Sequence, residues 1–255
     1  MFFTDTHSHI YSEEFTADIA QVVQRAKQSG VEKIFLPVTE YESVAAMLEL
    51  YQTDTQMFVP MVGLYPGSVK DDMAEQLRKL EPLLMDERIK GIGEIGLDFY
   101  WTKDNKAQQI QAFETQMKWS KHHNDMPVSV HCRKAFDEVF ECFKHLSFSS
   151  YKGVFHCFSG DVQQAYKLIE LGFLLGIGGV VTFKNAHLQE VVRQIDIKHL
   201  VLETDAPYLA PAPFRGSRNE PSYIPYIAAK IAEIKDISVQ QVTVQTTENA
   251  LNLLQ

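Results

Sequence analysis

Eight short runs of apolar and β-branched residues recur along the chain, at 2–6 (FFTDT), 33–38 (KIFLPV), 57–63 (MFVPMVG), 90–95 (KGIGEI), 127–131 (PVSVH), 152–156 (KGVFH), 173–178 (FLLGIG) and 199–204 (HLVLET). Between most of them, at 17–29, 43–52, 106–124, 134–146, 161–171 and 186–195, apolar positions return every three or four residues, the period of a helix with one buried face. A terminal helix is predicted over 238–254, after the last barrel helix. Thr39 with Glu42, and Ser238 with Gln241, have the capping-box spacing of helix starts. Strands that alternate with helices require parallel pairing and right-handed crossovers. The prediction is therefore an α/β protein, a single (β/α)8 TIM barrel filling residues 1–255 as one domain. An open doubly wound sheet has the same alternation. The count of eight, and polar residues at the ends of the runs, favour closure.

Composition narrows the class. A length of 255 residues, 45% hydrophobic and 22% charged, suits one globular barrel. No apolar run approaches the roughly eighteen residues of a membrane span, so no membrane association is expected. The opening MFFTDTHSHI has no basic segment before an apolar stretch and predicts no signal peptide. Cys132, Cys142 and Cys157 are odd in number and lack CxxC spacing, which points to a reducing, cytoplasmic location. A net charge of −9 argues against nonspecific coating of duplex nucleic acid, though not against a local basic site in a cleft.

The polar residues carry the chemistry. His7 and His9, in TDTHSH, stand two apart after the first run, a spacing that puts both imidazoles on one side of an extended chain. Glu94 lies in the apolar, glycine-rich GIGEIGLD, where an unpaired carboxylate would be costly to bury. His131, His156 and Asp205 each close an apolar run. In a parallel barrel every strand C-terminus lies on the catalytic face, so runs 1, 4, 5, 6 and 8 would bring four imidazoles and two carboxylates to one rim. Six groups exceed the needs of one tetrahedral ion, so two divalent cations are expected, with Glu94 as the natural bridge. Nitrogen and oxygen donors without thiolate suit zinc, manganese, nickel or cobalt, and magnesium less well. Cys132 and Cys157 follow ligand histidines, and strand alternation should turn them away from the ions.

Beyond the eighth run, residues 206–221 form a proline-stiffened loop with Arg215 and Arg218, near where barrels often bind phosphate. An arginine fork matches a phosphodiester. Arg133, two residues past His131, is a further substrate contact or a partner for a neighbouring carboxylate. The GIGG run at 176–179 lacks the context of a dinucleotide fingerprint and predicts close backbone approach at the rim. His122, His123, His145, His187 and His199 are assigned to surface or structural places.

Taken together, DTHSH at 5–9, GEIGLDFY at 93–100, PVSVHCRKA at 127–135, FHCFSG at 155–160, and ETDAPYLAP through RGSRNEP at 203–221 resemble the TatD family of metal-dependent deoxyribonucleases, within the amidohydrolase superfamily. The resemblance covers nearly the whole chain. It implies a TIM barrel with two divalent metals: His7, His9 and Asp205 on one ion, His131 and His156 on the other, and Glu94 between them. It also implies hydrolysis of DNA phosphodiesters, in some members from the 3′ end of single strands, so DNA with single-stranded ends is the expected partner and no obligate protein partner is evident. The family usually reads Gly-Ile-His-Pro-His after the third strand, whereas this chain reads Gly-Leu-Tyr-Pro-Gly at 63–67. Tyr65 thus replaces a histidine near the substrate, and its phenol can donate a hydrogen bond but not act as a neutral-pH acid. Ser217 stands where a basic residue is common. Asp205 and Glu94 are the expected catalytic residues, Asp205 orienting the attacking water. Tyr65, Arg133, Arg215 and Arg218 are the expected substrate contacts. Two other outcomes fit the same residues: a small-molecule ester, amide or lactone hydrolase, and a metal-binding protein without catalysis.

Overall fold

The computed structural model describes residues 2–255. Eight parallel strands, β1 (Phe3–Asp5), β2 (Val31–Pro37), β3 (Phe58–Val62), β4 (Gly91–Asp98), β5 (Val128–Arg133), β6 (Gly153–Phe155), β7 (Phe173–Ile177) and β8 (Leu200–Leu202), pair in chain order. The sheet closes between its first and last strands. Thr6 N–H donates to Leu202 O at 2.9 Å, Asp205 N–H to His7 O at 2.9 Å and His9 N–H to Ala206 O at 2.8 Å, around a parallel bridge between Ser8 and Ala206. Each strand is followed by a helix: α1 (Ile19–Gln28), α2 (Val44–Thr53), α3 (Met73–Leu80), α4 (Lys106–His122), α5 (Phe136–Leu146), α6 (Val162–Glu170), α7 (Leu188–Gln194) and α8 (Ile224–Lys235). A ninth helix, α9 (Val239–Asn252), ends the chain. This is the predicted TIM barrel. None of these helices is long and apolar enough to cross a membrane.

Strand alternation sorts the side chains into two cores. Ile34 and Leu36 face the outer layer and join the large cluster shared with the helices, whereas Phe35 between them faces the barrel interior. There it packs with Val59, Met61, Val154 and Val201, and with Ala250 and Leu253 at the end of α9. Each such buried side chain contributes about 1.5–3 kcal/mol. Asn249 Nδ2 donates to Ile197 O (2.9 Å) and Leu200 O (2.7 Å), and Thr247 Oγ1 to Phe2 O (2.8 Å). These bonds seat α9 under the starts of β8 and β1 and plug the end of the barrel opposite the catalytic face.

Several boundaries differ from the sequence expectation. The Ser238–Gln241 capping box forms, and so does one at Asp161–Gln164. The expected box at Thr39 and Glu42 does not, because Gln76 Nε2 takes the Glu42 carboxylate at 3.1 Å and the backbone there makes a short 3-10 turn, Tyr41–Ser43. The eighth strand stops at Leu202 rather than at residue 204, because Thr204 N–H leaves the ladder for the Asp5 carboxylate at 2.9 Å. Strands β4 and β5 run on to Asp98 and Arg133, so Glu94 and His131 lie within strands rather than at their ends.

Candidate metal centre

His7 and His9 flank Ser8, whose bridge to Ala206 keeps the chain extended past β1 and leaves both rings on one side. Glu94 is aimed by a bulge: the β4–β5 register shifts between Ile92 and Ile95. The backbone there turns instead to Val38, with Glu94 N–H donating to Val38 O at 2.7 Å. Gly96, at φ +136°, has no room for a side chain against the His131 carbonyl, which makes glycine obligatory beside that ligand. His156 follows β6 directly, and Asp205, at φ 57°, turns the chain beyond β8.

These six side chains converge. Glu94 Oε1 lies 2.8 Å from His156 Nε2 and 3.0 Å from His131 Nδ1. Glu94 Oε2 lies 3.4 Å from His9 Nε2 and 3.5 Å from His7 Nε2. Asp205 Oδ1 stands 3.7 Å from His9 Nε2 and 3.9 Å from His7 Nε2. The two Glu94 oxygens therefore serve two separate histidine pairs, and Asp205 joins one of them. The rings of His7 and His156 stack at 3.7 Å.

The outward nitrogens of His9, His7 and His131 have other partners, while Nδ1 of His156 is buried without one. His9 Nδ1 donates to Pro37 O at 3.1 Å, beside the Tyr11 hydroxyl, which donates to the same carbonyl at 2.9 Å. His7 Nδ1 meets Ser129 Oγ at 2.8 Å, and His131 Nε2 donates to Asp98 Oδ2 at 3.1 Å. With protons on the outward nitrogens of His7 and His9, their inward ones carry lone pairs, yet His7 Nε2 and His9 Nε2 sit 3.0 Å apart. Lone pairs at that separation repel unless a cation lies among them, so the donor set fits divalent metal. Three His/Cys/Asp/Glu groups with metal-holding spacing occur among the described residues, and all are drawn from these six side chains. Neither Cys132 nor Cys157 belongs to one.

Electrostatics follow from burial and pairing. Burial and the adjacent His156 ring hold His7 well below the ordinary imidazole range. Burial also opposes charge on His131, but Asp98 and Glu94 outweigh it and raise the ring to about 9. Burial alone would lift Glu94, yet His156, His131 and His7 keep its carboxyl well below the carboxylate range. Asp205 is raised, chiefly by burial.

The four expected substrate contacts fall into different settings. Tyr65 stands edge-on to His131, ring centres 5.1 Å apart, with its hydroxyl donating to Asp98 Oδ2 at 3.3 Å. Gly67 makes this possible, since a Cβ there would overlap the Tyr65 ring, and the two departures from the family pattern at 65 and 67 are thus one packing unit. Arg133 stacks on Tyr100, its guanidinium 3.7 Å from the ring centre. Arg215 is exposed, beside the Phe183 ring at 4.5 Å. Arg218 is engaged elsewhere: it pairs with Asp18 at 2.7 Å, covers Phe15 and bonds Glu14 O, tying the 211–221 loop to the start of α1. Arg25 braces the same joint through Glu220 at 2.6 Å. The GIGG run does bring backbones close, because a Cβ at Gly179 would collide with the Leu209 carbonyl, and Gly176 makes room for the buried Glu203 carboxylate.

Sequence reasoning passed over Asp98, Ser129, Tyr11 and Glu203. Ser129 had a signal, lying two residues before His131 on the same strand face. Asp98 had another, a lone carboxylate four residues after Glu94 in the same buried run. Glu203 accepts the Cys157 N–H behind His156, and burial raises its carboxyl well above the usual range. A small recess of about 40 Å3 opens beside Asp205, lined by Cys157, Phe158, Gly179, Val180 and Leu209 among others.

Residues 4–255 match the family described as TatD related DNase. The chain is 36% identical over 250 residues to YabD of Bacillus subtilis (strain 168), named an uncharacterized metal-dependent hydrolase, covering 98% of this chain and 97% of YabD. The crystal structure of YjjV, a TatD homolog from Escherichia coli K12, superposes with a TM-score of 0.92 at 30% identity, over 99% of this chain and 97% of that one. A TatD family hydrolase from Entamoeba histolytica shares the fold, with a TM-score of 0.87 at 24% identity over 100% and 98% of the two chains.

Proposed function

The chain belongs to the TatD related DNase family of metal-dependent hydrolases, and from that premise we propose that it hydrolyses DNA phosphodiester bonds, acting at single-stranded ends in preference to duplex. The observation that carries this reading is the division of Glu94, one oxygen toward His131 and His156 and the other toward His7 and His9. His7, His9 and Asp205 would hold one divalent cation, His131 and His156 a second, with Glu94 shared. When bound, such ions make water acidic near neutral pH and polarise a phosphoryl oxygen.

The chain's own groups do the rest. Asp205, with its proton affinity raised by burial, orients the attacking water and takes its proton. Arg133 and Arg215 offer guanidinium forks to the backbone phosphates. Arg218, held by Asp18, contributes by fixing the loop that carries Arg215. Tyr65 donates its hydrogen bond to Asp98 and steadies the ring of His131. The same site could take a small ester or lactone, and the net charge of −9 is the observation on that side.

The test is elemental analysis of the purified protein, then assay of the metal-reconstituted enzyme on end-labelled single-stranded and duplex DNA beside an ester and lactone panel. Metal-dependent shortening of the single strand, abolished by Glu94→Gln, supports the reading. Turnover confined to the ester panel overturns it.

A further inference from the structure

From an aromatic ledge at the mouth we infer that Trp101, braced by Tyr100 and Arg133, is a stacking site for one unpaired nucleobase of the substrate strand, an inference that rests on the nuclease reading above. Trp101 is 75% exposed and Tyr100 51%, whereas the chain's other tryptophan, Trp119, is 3% exposed in the core. A large aromatic surface left in water beside a reactive site marks a place where something flat is meant to lie.

The ledge is built. Tyr100 N–H donates to Asp98 Oδ1 at 2.8 Å, and the other oxygen of that carboxylate takes the His131 ring at 3.1 Å, so the ledge is one side chain away from a candidate metal ligand. Phe99 N–H donates to Arg133 O at 2.9 Å and locks the end of β4 to the end of β5, both on the catalytic face. The Arg133 guanidinium covers the Tyr100 ring at 3.7 Å and lies 5.5 Å from the centre of Trp101. It makes no ion pair among the described residues. Tyr100 meets Trp101 in a T-shaped contact, centres 4.8 Å apart at 88°, which braces the indole while most of its surface stays in water.

A flat apolar face beside a guanidinium free of any contact ion pair among the described residues fits a base together with its phosphate. Bases inside a duplex already have both faces covered, so the occupant is unpaired.

The experiment uses the metal-loaded protein in two ways. In Trp119→Phe, Trp101 is the single tryptophan, and its fluorescence is followed during titration with a short phosphorothioate-linked oligothymidylate and with an abasic strand of equal length. Saturable quenching by the first and none by the second is expected, and equal quenching by both overturns the assignment. In parallel, Trp101→Ala should raise KM for single-stranded DNA by about tenfold, the worth of one base–aromatic stack, with kcat little changed and Trp101→Phe restoring most of the loss. Wild-type protein that cleaves no DNA removes the nuclease reading itself. Wild-type cleavage with an unaltered KM in Trp101→Ala removes the ledge alone.

Discussion

Asp98 accepts the Nε2–H of His131 at 3.1 Å and so turns the Nδ1 lone pair of that ring toward Glu94. A carboxylate behind a ligating imidazole sets the tautomer and makes the ring a better donor. Asp98→Ala should therefore weaken metal binding by about 10–100-fold, measured by competition with a chromophoric chelator. Unchanged affinity would mean that Asp98 serves only the Tyr100 backbone and the Tyr65 hydroxyl.

Glu94→Gln should do more. It removes the charge that both histidine pairs face, so the purified variant should lose metal from both positions, with an affinity loss beyond the roughly 100-fold limit of an outer partner. Elemental analysis of Glu94→Gln beside Asp205→Asn separates the two roles, because the shortest histidine contacts of Asp205, 3.7 and 3.9 Å, are to His9 and His7, whereas Glu94 meets all four imidazoles within 3.5 Å. A Glu94→Gln protein with full metal content would sink the shared-carboxylate reading.

Metal should also report on stability. The centre brings imidazole nitrogens to within 3.0 Å of each other. A divalent cation at a hundred times its Kd adds about 2.7 kcal/mol, or roughly 5–10 °C in Tm for a barrel of this size. A thermal midpoint indifferent to chelation and reloading would count against any resident metal.

Tyr65 offers a clean contrast of roles. If its hydroxyl only steadies Asp98, which keeps its bonds to His131 and Tyr100, Tyr65→Phe should reduce kcat by less than about tenfold, the scale of one net hydrogen bond. A proton donor would cost about 10²–10⁴. Because Gly67 and Tyr65 pack as one unit, Tyr65→His with Gly67→His should tolerate the ring better than Gly67→His alone, in which the new Cβ strikes the tyrosine. Stopped assays and melting curves of the set decide both points.

The Arg218–Asp18 pair predicts a pH signature. Hydrogen bonding from Arg218 lowers the Asp18 carboxyl. Burial would raise Glu220, yet Arg25 and Ser222 bring it below its ordinary value. A depressed carboxyl stabilises the fold above its unfolded value, about 4, and that contribution fades as pH falls through the folded one. Arg218→Ala should lower Tm by about 2–4 °C at most at neutral pH, because the pair is partly exposed. The gap to wild type should close below about pH 4. A gap that persisted there would assign the effect to packing on Phe15.

Much of this was legible because a parallel barrel writes itself into sequence simply. Strands such as β4, buried along their whole length, read as apolar runs, and a histidine or carboxylate closing such a run stands out. What was hidden depended on neighbours that only closure supplies. Arg218 looks free until Asp18, 200 residues earlier in the chain, meets it. The Thr39–Glu42 spacing looks like a cap until Gln76 arrives from α3. The bulge that aims Glu94 depends on Val38 beyond β2, which no local pattern around Glu94 announces.

The junction of β1 with β8 has a kinetic meaning as well. Both strands are three residues long, and the bonds from Thr6, His9 and Asp205 that join them run through the very segments bearing His7, His9 and Asp205. Ring closure is therefore also what brings His7, His9 and Asp205 together. The cradle cannot exist on a partly folded chain with an open sheet, and an ion seated there acts as a clasp. Breathing of the native barrel should begin at this junction when the ion leaves, and the protein's grip on its own two ends becomes a measure of its readiness to work.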